Sequence, residues 1–315
     1  MTKCMKFKSI LALALLAGIA ITSCKKTEES TGLPSLTGLS VTNNATTYVR
    51  VGAKLTFTAN VSGITPSDNS TPGTIGLYWQ VNTADRDTLT RDISVSVPQF
   101  HYTVDTLGSY TVYCYAYASN YYNASASTAF KAIDPETALT GLAGERTETL
   151  DGKRFRTVEV DGKTWLAENY YGGGHQYRSC EVLDSVLGNY YTWEEAQSVC
   201  PGGWHLPTGE EFDALGSSAG SLMADAVFLS DAMWEYWPGM VITNEKGFNA
   251  IPAGYLDLGN TTQEQGFCEY ALWWTADPVD DQLAAFRFIY EDKPLVQKGQ
   301  GSKTSLALNV RCVKD

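Results

Sequence analysis

The 315 residues carry 23 Lys+Arg against 35 Asp+Glu, a formal net charge of −12. That balance excludes a nucleic-acid-binding surface, which needs clustered Lys and Arg to displace counterions from phosphates, and it opposes direct adhesion to anionic headgroups. Aromatic residues make up 12% of the chain, with 18 Tyr and 8 Trp, which suits packed β-rich domains, and the length sets a prior of about two domains.

Lys3, Lys6 and Lys8 form a positive N-terminal region, and Ile10 to Ile21 runs for 12 residues without a charge. The next residues, Ile21-Thr22-Ser23-Cys24, resemble the lipobox of bacterial lipoproteins. An apolar run this short does not span a bilayer, which takes about 20 helical residues. The expectation is a signal peptide over residues 1–23, lipidation of Cys24 as the new N-terminus, and a tether over residues 24–34. Cleavage removes three Lys and no acid, so the charge moves from −12 to −15. Lys25, Lys26, Glu28 and Glu29 behind the lipid cysteine resemble the charged tethers of surface-exported lipoproteins of the Bacteroidetes. This resemblance implies an outer-membrane lipoprotein at the cell surface, meeting the membrane only through its acyl chains.

Residues 35–133 read as an all-β sandwich of the immunoglobulin-like kind. Leu55, Phe57, Ala59 and Val61 alternate with polar residues. Leu77 and Trp79 share a further strand, and Ile93, Val95 and Val97 another. Tyr110, Val112, Cys114 and Ala116 share one face of the longest strand, with Thr111, Tyr113, Tyr115 and Tyr117 opposite. Turn residues separate these segments at sandwich spacing. Trp79 is the candidate core tryptophan, and Cys114 is expected to be a small buried hydrophobe. The outward tyrosines are read as a sheet face supporting cross-strand pairs in preference to a recognition stripe. Asp105-Thr-Leu-Gly108-Ser-Tyr110-Thr-Val112 resembles the turn into the sixth strand of polycystic-kidney-disease-type (PKD) and bacterial immunoglobulin-like domains.

Residues 134–150 lack clear periodicity and are expected to be a linker. The pattern then changes. Phe155 to Val160 and Thr164 to Ala167 flank Asp161-Gly162, a strong hairpin signal. Thr192-Trp-Glu-Glu195 and Thr208-Gly-Glu-Glu211 each open a helix as capping boxes. Short strands follow around residues 248–251, 272–276, 284–290 and 306–313. Hairpin, helices, then strands define an α+β domain over residues 151–315.

Seven cysteines and three histidines populate the chain. With no CxxC pair and so few His, neither a metal centre nor a cofactor is expected. Cys180, Cys200, Cys268 and Cys312 suggest two disulfides in an exported domain, with three connectivities open.

Four segments of this domain carry a resemblance: Asp161-Gly-Lys-Thr-Trp-Leu-Ala-Glu-Asn169, Tyr191-Thr-Trp-Glu-Glu-Ala196, Cys200-Pro-Gly-Gly-Trp-His-Leu-Pro-Thr208 and Val310-Arg-Cys-Val-Lys314. In this order they resemble the Fibrobacter succinogenes major paralogous domain, which is similar to the C-type-lectin-like fold. The resemblance implies a bridge from the end of the first helix to the last strand, Cys200–Cys312, which leaves Cys180–Cys268 as the second pair. Trp204 and Leu206 are expected in the core, with His205 bonding backbone.

A lectin-like domain implies recognition, and metal-free sugar binding uses exposed aromatic faces. Trp234, Tyr236 and Trp237 in a loop, Tyr255, and Trp274 are the candidate ligand-binding residues. Adjacent Trp273 and Trp274 point to opposite faces of a strand, so one is expected to be core. The Glu-Pro-Asn, Gln-Pro-Asp and Trp-Asn-Asp motifs of calcium-dependent lectins are missing. The leading expectation is a lipid-anchored recognition protein binding a glycan or a surface protein. A structural or tip subunit of a fimbria-like assembly is the alternative. An enzyme resembling the formylglycine-generating enzymes ranks last, because their reactive cysteine pair near the C-terminus is reduced here to Cys312.

Overall fold

Residues 32–83, 89–94, 97–234, 240–259 and 264–315 are described by the computed structural model. The expected signal peptide, the lipidation site Cys24 and nearly all of the tether lie outside the described residues, as do Tyr236 and Trp237. Among the described residues no helix is long and apolar enough to cross a membrane. The chain divides at Asp134/Pro135 into two compact units.

The N-terminal unit is built mainly from two sheets, one antiparallel and one mixed, in which Tyr48–Val49 runs parallel to its neighbour. One joins β1 (Ser40–Asn43), β3 (Lys54–Asn60) and β6 (Gln99–Thr103). The other joins β2 (Tyr48–Val49), β8 (Ala124–Ala132), β7 (Gly108–Tyr117), β4 (Gly76–Thr83) and β5 (Leu89–Ser94), in that order. Period-two alternation sends Leu55 and Phe57, Leu77 and Trp79, and Tyr110, Val112 and Cys114 into one core. Trp79 is fully buried and its ring stacks on Phe100 at 5.5 Å. Burial pushes the Cys114 thiol up to about 12, so it behaves as a hydrophobe. At the turn before β7 the Tyr110 hydroxyl donates to the Thr106 carbonyl at 2.8 Å and accepts from the Thr106 N–H at 3.1 Å, the tethered tyrosine of an immunoglobulin-like corner.

In the C-terminal unit, residues expected as linker are strands. β9 (Leu139–Thr140) pairs with Val227–Phe228, and β10 (Arg146–Leu150) pairs with β11 (Lys153–Val160). β10 is an edge strand. Its polar sequence hides the strand because pairing and an ion pair, Arg146 to Glu168 at 2.8 Å, replace apolar alternation. The hairpin of β11 and β12 (Lys163–Leu166) forms as expected, with Asp161 and Gly162 both at positive φ.

Helix α1 (Trp193–Val199) and helix α2 (Gly209–Ala214) begin with complete capping boxes on Thr192/Glu195 and Thr208/Glu211. Between them lies β13 (Trp204–His205). A three-stranded sheet of β15 (Tyr270–Pro278), β16 (Leu283–Tyr290) and β17 (Gln297–Ser302) follows β14 (Tyr255–Asp257), and β18 (Val313–Lys314) pairs with β12 and β13. The last strand is stapled to the end of α1 by Cys200–Cys312, with Cα atoms 5.8 Å apart.

Cys180 and Cys268, expected as the second bridge, are both buried. Their loops meet, with the rings of Tyr177 and Phe267 5.1 Å apart. Cys268 sits at φ 67° with its N–H held by the Pro252 carbonyl.

Candidate functional site

The structure redistributes the sequence-chosen aromatics. Trp234 is 2% exposed, and its indole N–H donates to the Ala250 carbonyl. Trp274 is fully buried, donating to the Tyr191 carbonyl at 2.8 Å. Neither is available to a ligand. The expectation for Trp274 fails because both faces of β15 are covered: Trp273 belongs to one core cluster and Trp274 to another.

Tyr255 remains half-exposed, and it has company. Its ring meets Tyr270 edge-on at 6.4 Å and 86°. Tyr270 stacks on its cross-strand partner Tyr290 at 4.5 Å and lies 6.3 Å from Phe288. Phe288 continues to Phe286 at 5.8 Å, and Phe286 reaches Trp274. One face of β15 and β16 is therefore an aromatic strip that starts half-exposed at Tyr255, Tyr270 and Tyr290 and ends in the core at Trp274. Gly299 makes the close approach, because a Cβ there would lie 2.4 Å from the Phe286 ring. Burial, with Glu269 next to Tyr270 and Tyr270 next to Tyr290, raises both phenols above their ordinary values. Period two placed this strip in the sequence, as Tyr270, Leu272 and Trp274 against Phe286, Phe288 and Tyr290. The exposure gradient along it was not readable there.

A second group of polar side chains surrounds an open cleft of about 470 Å³, lined by Asp161, Lys163, His205, Thr208, Glu210 and Glu211 among others. Trp204 and Leu206 are buried as expected, but His205 bonds carboxylates instead of backbone. Its Nδ1 meets Asp315 at 2.7 Å and its Nε2 meets Glu211 at 3.0 Å. Burial opposes the imidazolium, yet the two carboxylates outweigh it and raise His205 above its ordinary value. Burial also opposes the Glu211 carboxylate. Lys163, the Thr208 N–H and His205 overcome it and hold Glu211 at about 2. The sequence signal for this network was Glu211, the acid of the second capping box, which reaches two further partners.

Residues 145–314 match the model of the Fibrobacter succinogenes major domain. The chain belongs to that family. No curated protein sequence matches it. The chain is similar to a PKD domain of an M14-like peptidase from Thermoplasmatales archaeon SCGC AB-540-F20, with 17% identity over 32% of this chain and 96% of that one and a TM-score of 0.22. It is similar to the Yersinia pseudotuberculosis adhesin InvE, with 13% identity over 89% and 70% and a TM-score of 0.27. It is also similar to carbohydrate-binding modules from the β-sandwich superfamily, with 12% identity over 89% and 91% and a TM-score of 0.28.

Within this Fibrobacter succinogenes major domain, Asn169 and Arg311 of the four segments are buried. Arg311 is fully buried. Its guanidinium donates to Asn169 Oδ1 at 2.8 Å and to the carbonyls of Leu166 at 3.1 Å, Phe248 at 2.6 Å and Asn249 at 2.9 Å. It also lies 4.4 Å from the Phe248 ring centroid. Asn169 Oδ1 accepts from Trp273 Nε1 as well. Burial pulls Arg311 down to about 9, which leaves it protonated at neutral pH. These two residues serve the interior of the domain, whereas the aromatic strip and the open cleft meet solvent.

Proposed function

We propose that this protein is a lipid-anchored, extracytoplasmic recognition protein of the cell surface, and not an enzyme. Its C-terminal unit, in a C-type-lectin-like arrangement, holds a glycan on the strip of Tyr255, Tyr270, Tyr290 and Phe288. The observation that carries this reading is that strip: a row of half-exposed rings continuous with the core, hence rigid. A sugar ring stacks its C–H face on such a surface without a cation. The staple from α1 to the last strand supports the lectin-like arrangement. The two carboxylates that occupy both nitrogens of His205 support binding over acid–base chemistry. The lipobox-like segment and the charged tether support anchoring through Cys24.

The test is affinity electrophoresis of the full chain in plant, host and bacterial polysaccharides, with and without EDTA. Retardation insensitive to EDTA and weakened about tenfold or more by Tyr255→Ala is expected, a loss of roughly 1.4 kcal/mol. A folded chain that no polysaccharide retards turns the assignment toward a fimbria-like assembly subunit. Anchoring is read separately, by incorporation of labelled palmitate in the wild type and its loss in Cys24→Ser.

A further inference from the structure

The outward face of the five-stranded sheet in the N-terminal unit carries a second row of rings. Tyr113, Tyr115 and Tyr117 follow at every other position of β7 and so point the same way. Tyr115 pairs across the strands with Tyr78 of β4, the rings 5.8 Å apart, and Tyr113 stacks near it at 6.1 Å. Tyr113 faces Gln80 on β4 and Ser127 on β8, while Tyr115 faces Ser125. The small serines leave the rings standing above their flank.

Tyr78, Gln80, Tyr115, Tyr117 and Asn123 line a shallow trough of about 340 Å³. Its far wall depends on a glycine. Tyr117 lies over Gly76, where a Cβ would come within 2.2 Å of the ring. Any other residue at 76 displaces that ring, so the trough is set by the backbone. Tyr117 keeps 43% of its surface exposed. No lining residue bears a formal charge, in a chain whose net charge is −12.

We infer that this tyrosine face is a binding site for a neutral polysaccharide chain. An uncharged trough on an acidic protein neither attracts a polycation specifically nor tolerates a polyanion. Aromatic rings accept the apolar C–H faces of pyranose units, and the amides of Gln80 and Asn123 offer donors and acceptors to their hydroxyls. The sheet holds the rings in register at about 6.8 Å per two residues, so little ordering is needed on binding. This site is separate from the strip around Tyr255 and does not depend on it.

The experiment is affinity electrophoresis of the full chain in barley β-glucan, xylan, galactomannan and polygalacturonate, with Tyr255→Ala present throughout to silence the other strip. The expected result is retardation by at least one neutral glycan and none by polygalacturonate. Tyr115→Ala and Tyr78→Ala are each expected to weaken it about tenfold, while Tyr115→Phe, which keeps the ring, is expected to retain it. An unchanged thermal transition of the N-terminal unit guards against misfolding. Three outcomes overturn the inference: no neutral glycan retards the chain, Tyr115→Ala binds as well as its parent, or a proline decamer binds in a Tyr115-dependent way while glycans do not. Where the wild type is retarded and the Tyr255→Ala chain is not, the first of these outcomes leaves the strip as the glycan site.

Discussion

At Arg311 a cation sits wholly inside a domain with four oxygens and two aromatic rings around it. Three of those oxygens are backbone carbonyls, so the side chain cross-links the segments that hold Leu166, Phe248 and Asn249. Arg311→Met removes the donors and leaves the acceptors buried without them, and it is expected to cost about 3–5 kcal/mol in urea unfolding. Arg311→Lys is expected to recover little, since an ammonium cannot reproduce the planar fork. The Arg-Cys pair was legible as a family mark, but the sequence gives no sign that its partners are carbonyls. The same limit applies at Trp273 and Trp274. Alternation correctly sends them to opposite faces, yet whether either face is wet depends on what packs there. At His205 and Glu211 the sign of the pH dependence follows from the shifts. Glu211 at about 2, against 4.5 ordinarily, contributes stability above pH 4.5 that disappears as pH falls toward 2. His205, raised above 6.5, contributes below pH 6.5 and loses its contribution as pH rises through its raised value. Glu211→Gln is expected to flatten the acid side of the stability–pH curve by roughly 2 kcal/mol, and His205→Gln the neutral side, read by thermal unfolding across pH 2–8.

The elements divide by how local their causes are. Both capped helices were readable because a capping box is written within four residues. The structure forms Thr192 with Glu195 and Thr208 with Glu211 reciprocally. Thr192→Ala is expected to cost about 1 kcal/mol. Thr208→Ala is expected to cost more, because Glu211 also positions Lys163 and His205, and the excess should vanish in a Glu211→Gln background. Equilibrium unfolding of the four variants as a double-mutant cycle decides it. The β11–β12 hairpin was equally local, through Asp161-Gly162. β10 was not, since an edge strand of Arg, Thr and Glu has the composition of a loop and becomes a strand only by pairing with β11. The tyrosine row of β7 was visible as a row, but its role turned on Gly76 and Tyr78, more than thirty residues upstream and brought alongside by sheet register.

The two units bury separate cores: Trp79, Phe57 and Phe130 in the first, and Phe155, Trp273 and Arg311 with their neighbours in the second. Only the second is closed by the Cys200–Cys312 bridge, whose residues are 112 apart in sequence. That bridge ties the end of α1 to the end of the chain, so it restrains the stretch that supplies most of the C-terminal core. In the chain-entropy account a loop of this length stabilises by about 4–5 kcal/mol. Cys114 lies in the first core as a thiol and gives that unit no such restraint. Reduction should therefore separate the two units thermodynamically. In calorimetry with dithiothreitol, or in the Cys200→Ala/Cys312→Ala variant, the transition of the C-terminal unit is expected to move down steeply, by more than 10 °C for a domain this size, while the sandwich transition stays in place. A single transition that moves as a whole would show that the staple governs the entire molecule and that the two cores unfold as one.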